Sequence, residues 1–398
     1  MTTMYLPPPR PMRLTFGGRV PLGDVVGRDE TVGAVWRDVE ANSLLINEMR
    51  RFGKTTMLRL VEARTPEGWY CVRTSVQDAR STLDLIELTL HELIRHAGFG
   101  QRAKNMIGNV LKVVPETQAD IGPVSLALRA PGQPSPFNVL RDILRGVNRE
   151  LEDDGKRMLI IWDEFPDAVW GIAKAEGNRA AEDLLAIFKA GRENDEGQRI
   201  RWVFTGSVGF HHVLHLIGGH GGGISDLTNV EFGPLTPEWT RWLTASLLLK
   251  LGIDAPEQVT CSIADVAGGI PFVVEMMVKY VRDHQTPLPY TIRQAHDMLV
   301  AAASDTAIGA NWTPLLSRVE DYYGDDASFA NDILDHLARS PLSADQLRAA
   351  VSANHQNLDD VLSLLINDHY LQYDGITGLY SWKYPPLRWI WLARRRKH

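Results

Sequence analysis

The segment SLLINEMRRFGKTT, residues 43–56, constrains this chain more than any other. Ser43–Asn47 is a short apolar run that reads as a buried strand, and beyond Gly53, Lys54 and Thr55 a helical pattern continues through Glu62. A strand passing through a short loop into a helix turns the helix's free N–H groups and its dipole toward the loop. That geometry holds the β and γ oxygens of a nucleoside triphosphate. Gly53 lets the backbone pass close to the phosphates, Lys54 brings them a positive charge, and Thr55 offers a hydroxyl to Mg2+. Met49, Arg50, Arg51, Phe52, Gly53, Lys54, Thr55 and Thr56 are therefore the expected nucleotide-binding residues. One position departs from the pattern: glycine is expected at 48, and this chain has Glu48.

Strands expected at 69–75, 158–162 and 201–205 alternate with helices expected at 29–41, 83–97, 137–152 and 179–190. Continuous apolar strands alternating with helices predict an α/β fold with a parallel sheet covered on both faces. A hairpin is expected within 110–130. The strand at 158–162 runs into an acidic pair, MLIIWDEFPD (158–167), in which Asp163 suits a Mg2+ ligand and Glu164 a general base for an attacking water. RWVFTGS (201–207) is expected to form the neighbouring strand, putting Thr205 or Ser207 where a hydroxyl senses the γ-phosphate or the water.

Composition narrows the function. With 42 Lys and Arg against 49 Asp and Glu, the net charge is −7, so nucleic-acid contact must come from a local patch. Two cysteines, Cys71 and Cys261, exclude a disulfide framework and a four-cysteine zinc site, and they suit a reducing cytosol. No apolar run is long enough to span a bilayer, and prolines stand where a signal peptide has its apolar stretch, so a cytoplasmic location without membrane contact is expected.

VVGRDE (25–30), RRFGKTT (50–56), IIWDEFPD (160–167), VFTGS (203–207) and AGGIPFVVE (267–275) stand in this order, with a helical C-terminal region after them. As a set they resemble the archaeal-type ATPase family of the AAA+/STAND P-loop NTPases, over most of residues 24–398. The resemblance implies a parallel-sheet P-loop NTPase core, a helical lid and a C-terminal winged-helix domain. It implies ATP and Mg2+ as cofactors and ATP hydrolysis as the reaction. It places Val26 and Gly27 against the adenine and the Gly268–Pro271 turn, with Pro271, near the far side of the nucleotide. Many relatives carry an arginine before the Pro-Leu-Thr segment, whereas GGGISDLTNVEFGPLT (221–236) has none. Arg192, Arg199 and Arg201 are the alternatives, each read first as a surface or strand-flanking residue.

The expected organisation is an extended Pro-rich arm (1–20), read first as a solvated tail, the ATPase core (21–233), a helical lid (234–305) and a winged-helix-like domain with a basic tail (306–398). The expected role is a nucleotide-dependent regulatory or assembly switch, in signalling or phage defence, acting on a protein partner or a second copy. The alternatives are a DNA-binding ATPase of replication, repair or mobile elements, and a nucleotide-binding scaffold without turnover. Arg394–Lys397 and the winged helix offer a DNA contact. Against that, Leu358–Asp368, the expected recognition helix, is acidic and apolar, unlike helices that read base edges. His211 and His215 stand four apart but lack an acidic or cysteine partner at zinc-site spacing.

Overall fold

A computed structural model describes residues 6–111, 135–193, 199–207, 209–218, 222–351 and 357–395. The hairpin expected within 110–130 lies outside the described residues beyond Leu111, where a helix ends. The chain forms two compact units. One comprises Met1–Asp29, Met49–Thr56 and Gly233–His398, and the other Glu30–Glu48 and Met57–Phe232.

The second unit is built on a parallel sheet of β1 (Leu44–Asn47), β2 (Trp69–Ser75), β3 (Arg157–Asp163), β4 (Ile200–Gly206) and β5 (Thr228–Asn229), in the order β2-β3-β4-β1-β5. Met158 to Trp162 are all fully buried, which explains the unbroken apolar run. The helices of this region are α1 (Asp29–Asp38), α2 (Lys54–Ala63), α3 (Thr82–Arg95), α4 (Gly100–Leu111), α5 (Pro136–Asp153), α6 (Phe165–Glu176), α7 (Asn178–Glu193) and α8 (Phe210–Leu216). Helices α3, α5 and α6 pack on β2, β3 and β4 respectively. Trp162, Phe165, Phe188, Trp202 and Phe204 form one aromatic cluster with centroids 4.6–6.5 Å apart. The acidic pair Asp163–Glu164 thus sits between two aromatics that are anchored in the core.

In the first unit the sequence's turn chemistry delimits the helices of the lid. These are α9 (Pro237–Lys250), α10 (Glu257–Ala267), α11 (Pro271–His284) and α12 (Ile292–Ser304). Thr236 caps α9 with Pro237 behind it, Gly268 ends α10 in the left-handed conformation, Pro271 starts α11, and Thr291 with Gln294 forms a capping box. Then follow α13 (Thr306–Gly309), α14 (Thr313–Tyr323), α15 (Ala327–Arg339), α16 (Ala344–Ala350), α17 (Leu358–Asn367) and α18 (Pro385–Arg395). β6 (Leu342–Ser343), β7 (Leu371–Asp374) and β8 (Leu379–Trp382) form an antiparallel sheet in the order β6-β8-β7, completing a winged-helix arrangement.

Two sequence readings change here. Residues 6–20 are not a solvated tail: Met12 is 3% exposed, its N–H donates to Ser246 O at 3.0 Å, and Trp242 Nε1 donates to Pro7 O at 2.6 Å. Proline prevents the arm from being helical but leaves carbonyls free to accept. Nor are Arg394 and Arg395 a loose basic tail. They end α18, which buries Leu387, Ile390 and Trp391, and Arg395 forms a two-pronged ion pair with Asp335 at 2.7–3.3 Å. Among the described residues no helix is long and apolar enough to cross a membrane.

Candidate functional site

The carboxyl ends of β1, β3 and β4 lie at one edge of the sheet, with Asn47 beside Gly206 and Trp162 beside Phe204. Ligands of open α/β folds bind at this edge. The parallel pairing brings each member of the acidic pair to a hydroxyl of the next strand. Thr205 Oγ1 donates to Asp163 Oδ1 at 2.6 Å, and both residues are buried. Glu164 Oε2 accepts from Ser207 Oγ at 2.7 Å and from Ser207 N at 3.0 Å. Glu164 has φ 61°, a left-handed conformation that costs a non-glycine residue about 1–2 kcal/mol. It is the turn residue that ends β3 and lets Phe165 and Pro166 begin α6.

Glu48 is 3% exposed, and its N–H donates to Gly206 O at 3.2 Å, extending the β1–β4 ladder by one residue. Its φ is outside the left-handed region, so no glycine is needed there.

In the other unit the loop residues 49–56 divide between anchors and open positions. Met49 and Phe52 are fully buried, and the Phe52 ring lies 4.6 Å from that of Tyr384. Lys54 Nζ donates to Met49 O at 3.0 Å across the loop. Gly53 has φ 92° with open space where a Cβ would stand, and Thr55 is exposed. Arg51, at φ 76°, lays its guanidinium 4.4 Å over the Phe272 ring and donates to Asn311 O at 3.2 Å. Burial, and then the charge of Arg50, pull its pKa below the usual arginine range.

Arg28 is the residue that sequence reasoning missed. It is 6% exposed and donates through Nη2 to Phe52 O at 2.9 Å and through Nη1 to Gly233 O at 2.8 Å. The VGRDE segment therefore grips the loop's backbone directly. Its signal in the sequence was an arginine inside a motif read only for its Val26 and Gly27. Gly27 has φ 64°, and a Cβ there would meet Trp239 Cγ at 2.8 Å. At the Gly268–Pro271 turn, Gly269 O accepts from Leu235 N at 2.8 Å, and a Cβ on Gly269 would lie 2.4 Å from Leu235 O. These glycines serve close packing as well as the turns.

The arginines considered as substitutes for the missing one are engaged. Arg192 holds Asp226 through Nε and Nη2 at 2.6 and 2.7 Å, Arg199 donates to Lys156 O, and Arg201 donates to Ile200 O. His211 and His215 are exposed on α8.

Each unit carries groups whose chemistry suits a magnesium nucleotide. On the loop, Lys54 is a cation, Thr55 has an exposed hydroxyl, and the space beside Gly53 admits a close approach of phosphate to the backbone. At the end of β3, Asp163 offers the hard oxygens that Mg2+ prefers.

The fold matches that of solved P-loop ATPases. The chain is similar to a Walker-type ATPase of Pyrococcus abyssi, at 16% identity and TM-score 0.64, covering 96% of this chain and 98% of that one. It is also similar to the ORC2 protein of Aeropyrum pernix in its ADPNP–ADP complexes, at 13% identity and TM-score 0.53, covering 96% of this chain and 97% of that one. No protein-family model matches the chain, and no curated protein matches it in sequence.

Proposed function

We propose that this chain binds ATP on residues 49–56, hydrolyses it, and uses the cycle as a regulatory or assembly switch. The observation that carries the reading is the pair of hydroxyl–carboxylate contacts, Thr205 with Asp163 and Ser207 with Glu164, at the sheet edge where β1 also ends and leads by sequence into Gly53-Lys54-Thr55. The Aeropyrum chain of the same fold was solved with ADPNP and ADP, which supports an adenine nucleotide as ligand.

In this reading the loop's N–H groups and Lys54 bind the β and γ phosphates, while Val26, Gly27 and Pro271 border the base and the far side. Phe52 takes part through its backbone, because its ring is spent on Tyr384. Thr55 and Asp163 are the residues that would offer oxygens to Mg2+, which would neutralise charge developing on the phosphate oxygens. Thr205 keeps the Asp163 carboxylate aimed by donating to it. Glu164 orients the attacking water and takes its proton. The switch needs two states of differing nucleotide affinity, and the lid and winged helix are the elements that would differ between them.

Two variants test the reading. Lys54→Ala loses nucleotide binding. Glu164→Gln keeps binding but stops phosphate release, and equal phosphate release by Glu164→Gln and the wild type would remove Glu164 from the mechanism.

A macromolecular contact by the C-terminal domain is favoured by its exposed wing, where Ile376 is 97% and Tyr373 52% exposed. A protein partner fits this wing better than DNA. Helix α17 opens with Asp359 and Asp360, and Arg348 is committed to Asp359 at 3.0 Å. DNA binding that weakens steeply with salt in a gel-shift titration would reverse that preference.

A further inference from the structure

Beyond its contacts with α9, the arm runs residues 15–17 along one face of α11. Thr15 Oγ1 donates to Glu275 Oε1 at 2.8 Å, the Phe16 ring stacks on Phe272 with centroids 4.8 Å apart and planes 15° apart, and Lys279 Nζ lies 5.6 Å over Phe16. Residues 272, 275 and 279 share a face at helical spacing. At the end of this track a Cβ on Gly17 would lie 3.0 Å from Arg51 Nη1 and 3.4 Å from Phe272 Cε2. Phe16 and Gly17 both have positive φ, 39° and 80°, so the arm turns sharply at this point.

Arg51 is the loop residue whose conformation needs outside support. Its φ of 76° is unfavourable for a side-chain-bearing residue, and contacts that fix its guanidinium offset that cost. Those contacts come from Phe272 and Asn311, and the turn at Gly17 leaves room for the guanidinium that a side chain there would take.

We infer that the N-terminal arm is a positioning element for the phosphate loop: Phe16 and Gly17 set Phe272 against Arg51 and so hold residues 49–56 ready for nucleotide. The inference rests on the ATP-binding reading for its consequence, but the coupling of arm to loop is a separate property. Arg51 then acts as the strap that joins loop to lid, and the arm tightens it. A loop held ready binds more tightly than one that must first be ordered, because apparent affinity is reduced by the fraction of time that the binding conformation is absent.

The test uses the full chain with Phe16→Ala, and with Phe16→Tyr as the conservative variant. Amide hydrogen exchange at residues 49–56 is measured without nucleotide, and Mg·ATP affinity by titration. Phe16→Ala is expected to speed exchange in the loop and weaken ATP binding about tenfold, as loss of pre-organisation does. Turnover at saturating ATP stays close to that of the wild type, because Glu164 and Ser207 are untouched. Phe16→Tyr retains both properties. Phe16 is only half-buried, so the fold survives the change, and Gly17→Ala, which presses a methyl toward Arg51, gives an independent second reading. Faster exchange in residues 6–20 with no change at 49–56 and no change in affinity overturns the inference. A wild-type chain that binds no nucleotide overturns the ATP reading instead, and the exchange data then still decide the coupling.

Discussion

Ser207 clasps Glu164: its hydroxyl and its amide both donate to the same carboxylate oxygen, at 2.7 and 3.0 Å. A carboxylate held by two donors is restrained in direction and has fewer lone pairs left for a water. Ser207→Ala removes one of the two bonds, and a hydrogen bond to a charged group contributes about 1.5–3 kcal/mol. We expect the variant to raise basal turnover severalfold without changing ATP affinity, read by steady-state phosphate release across ATP concentrations. Unchanged or lower turnover would show that the clasp orients Glu164 for the reaction and does not restrain it.

The contact between Thr205 and Asp163 is buried at both ends, Thr205 at 0% and Asp163 at 2% exposed. Thr205→Val keeps the shape but takes a donor from a buried carboxylate. The expected cost is about 1–3 kcal/mol of stability, measured by denaturant unfolding. A weaker dependence of nucleotide affinity on Mg2+ should accompany it.

Two glycines separate packing from backbone freedom. Gly53→Ala meets open space but must hold φ 92°, so it should unsettle the loop and impair nucleotide binding with little loss of global stability. Gly27→Ala combines φ 64° with a collision against Trp239 and Leu235, at 2.8 and 2.9 Å. It should cost about 2–4 kcal/mol of stability, from the left-handed penalty and overpacking together. Thermal unfolding of the two variants side by side checks the contrast.

Asp154 gives a pH-dependent prediction. Hydrogen bonds from Arg102, at 2.6 Å, and from Tyr70, at 2.6 Å, hold its pKa down at about 2. An unfolded aspartate titrates near ~3.9, so the network's stabilisation is present above that value and is lost as pH falls toward the folded pKa. Asp154→Asn should therefore lower the unfolding midpoint at pH 7, and the difference should shrink at pH 3. Salt should shrink it at pH 7 as well, because the site is open to solvent.

Much of the sheet was legible because buried parallel strands must be continuously apolar. β2, β3 and β4 were expected at 69–75, 158–162 and 201–205, and in the structure they run Trp69–Ser75, Arg157–Asp163 and Ile200–Gly206. The neighbouring of β3 and β4 followed from the same reasoning, but the hydrogen bond from Thr205 to Asp163 did not, because the hydroxyl was expected to face the γ-phosphate or the water. Helix α18 was hidden because the arginines at its end read as a tail, although it starts at Pro385 and Pro386, and proline is well tolerated in a helix's first turn. The role of Arg28 was hidden because its two acceptors are backbone carbonyls, at Phe52 and Gly233, and carbonyls leave no mark in a sequence. The docking of the arm was hidden for the same reason. Its partners lie 235–260 residues away, and a proline-rich segment has no periodicity to announce which side is buried.

The central claim is that Lys54 and its loop bind a magnesium nucleotide, and the most direct measurement is calorimetric titration of Mg·ATP into the wild-type chain and Lys54→Ala. The account predicts saturable one-site binding by the wild type and a loss of at least about a hundredfold in Lys54→Ala, in keeping with removal of a charge-assisted contact of roughly 3 kcal/mol. Equal binding by the two proteins, or no heat of binding from a folded wild type, would contradict it.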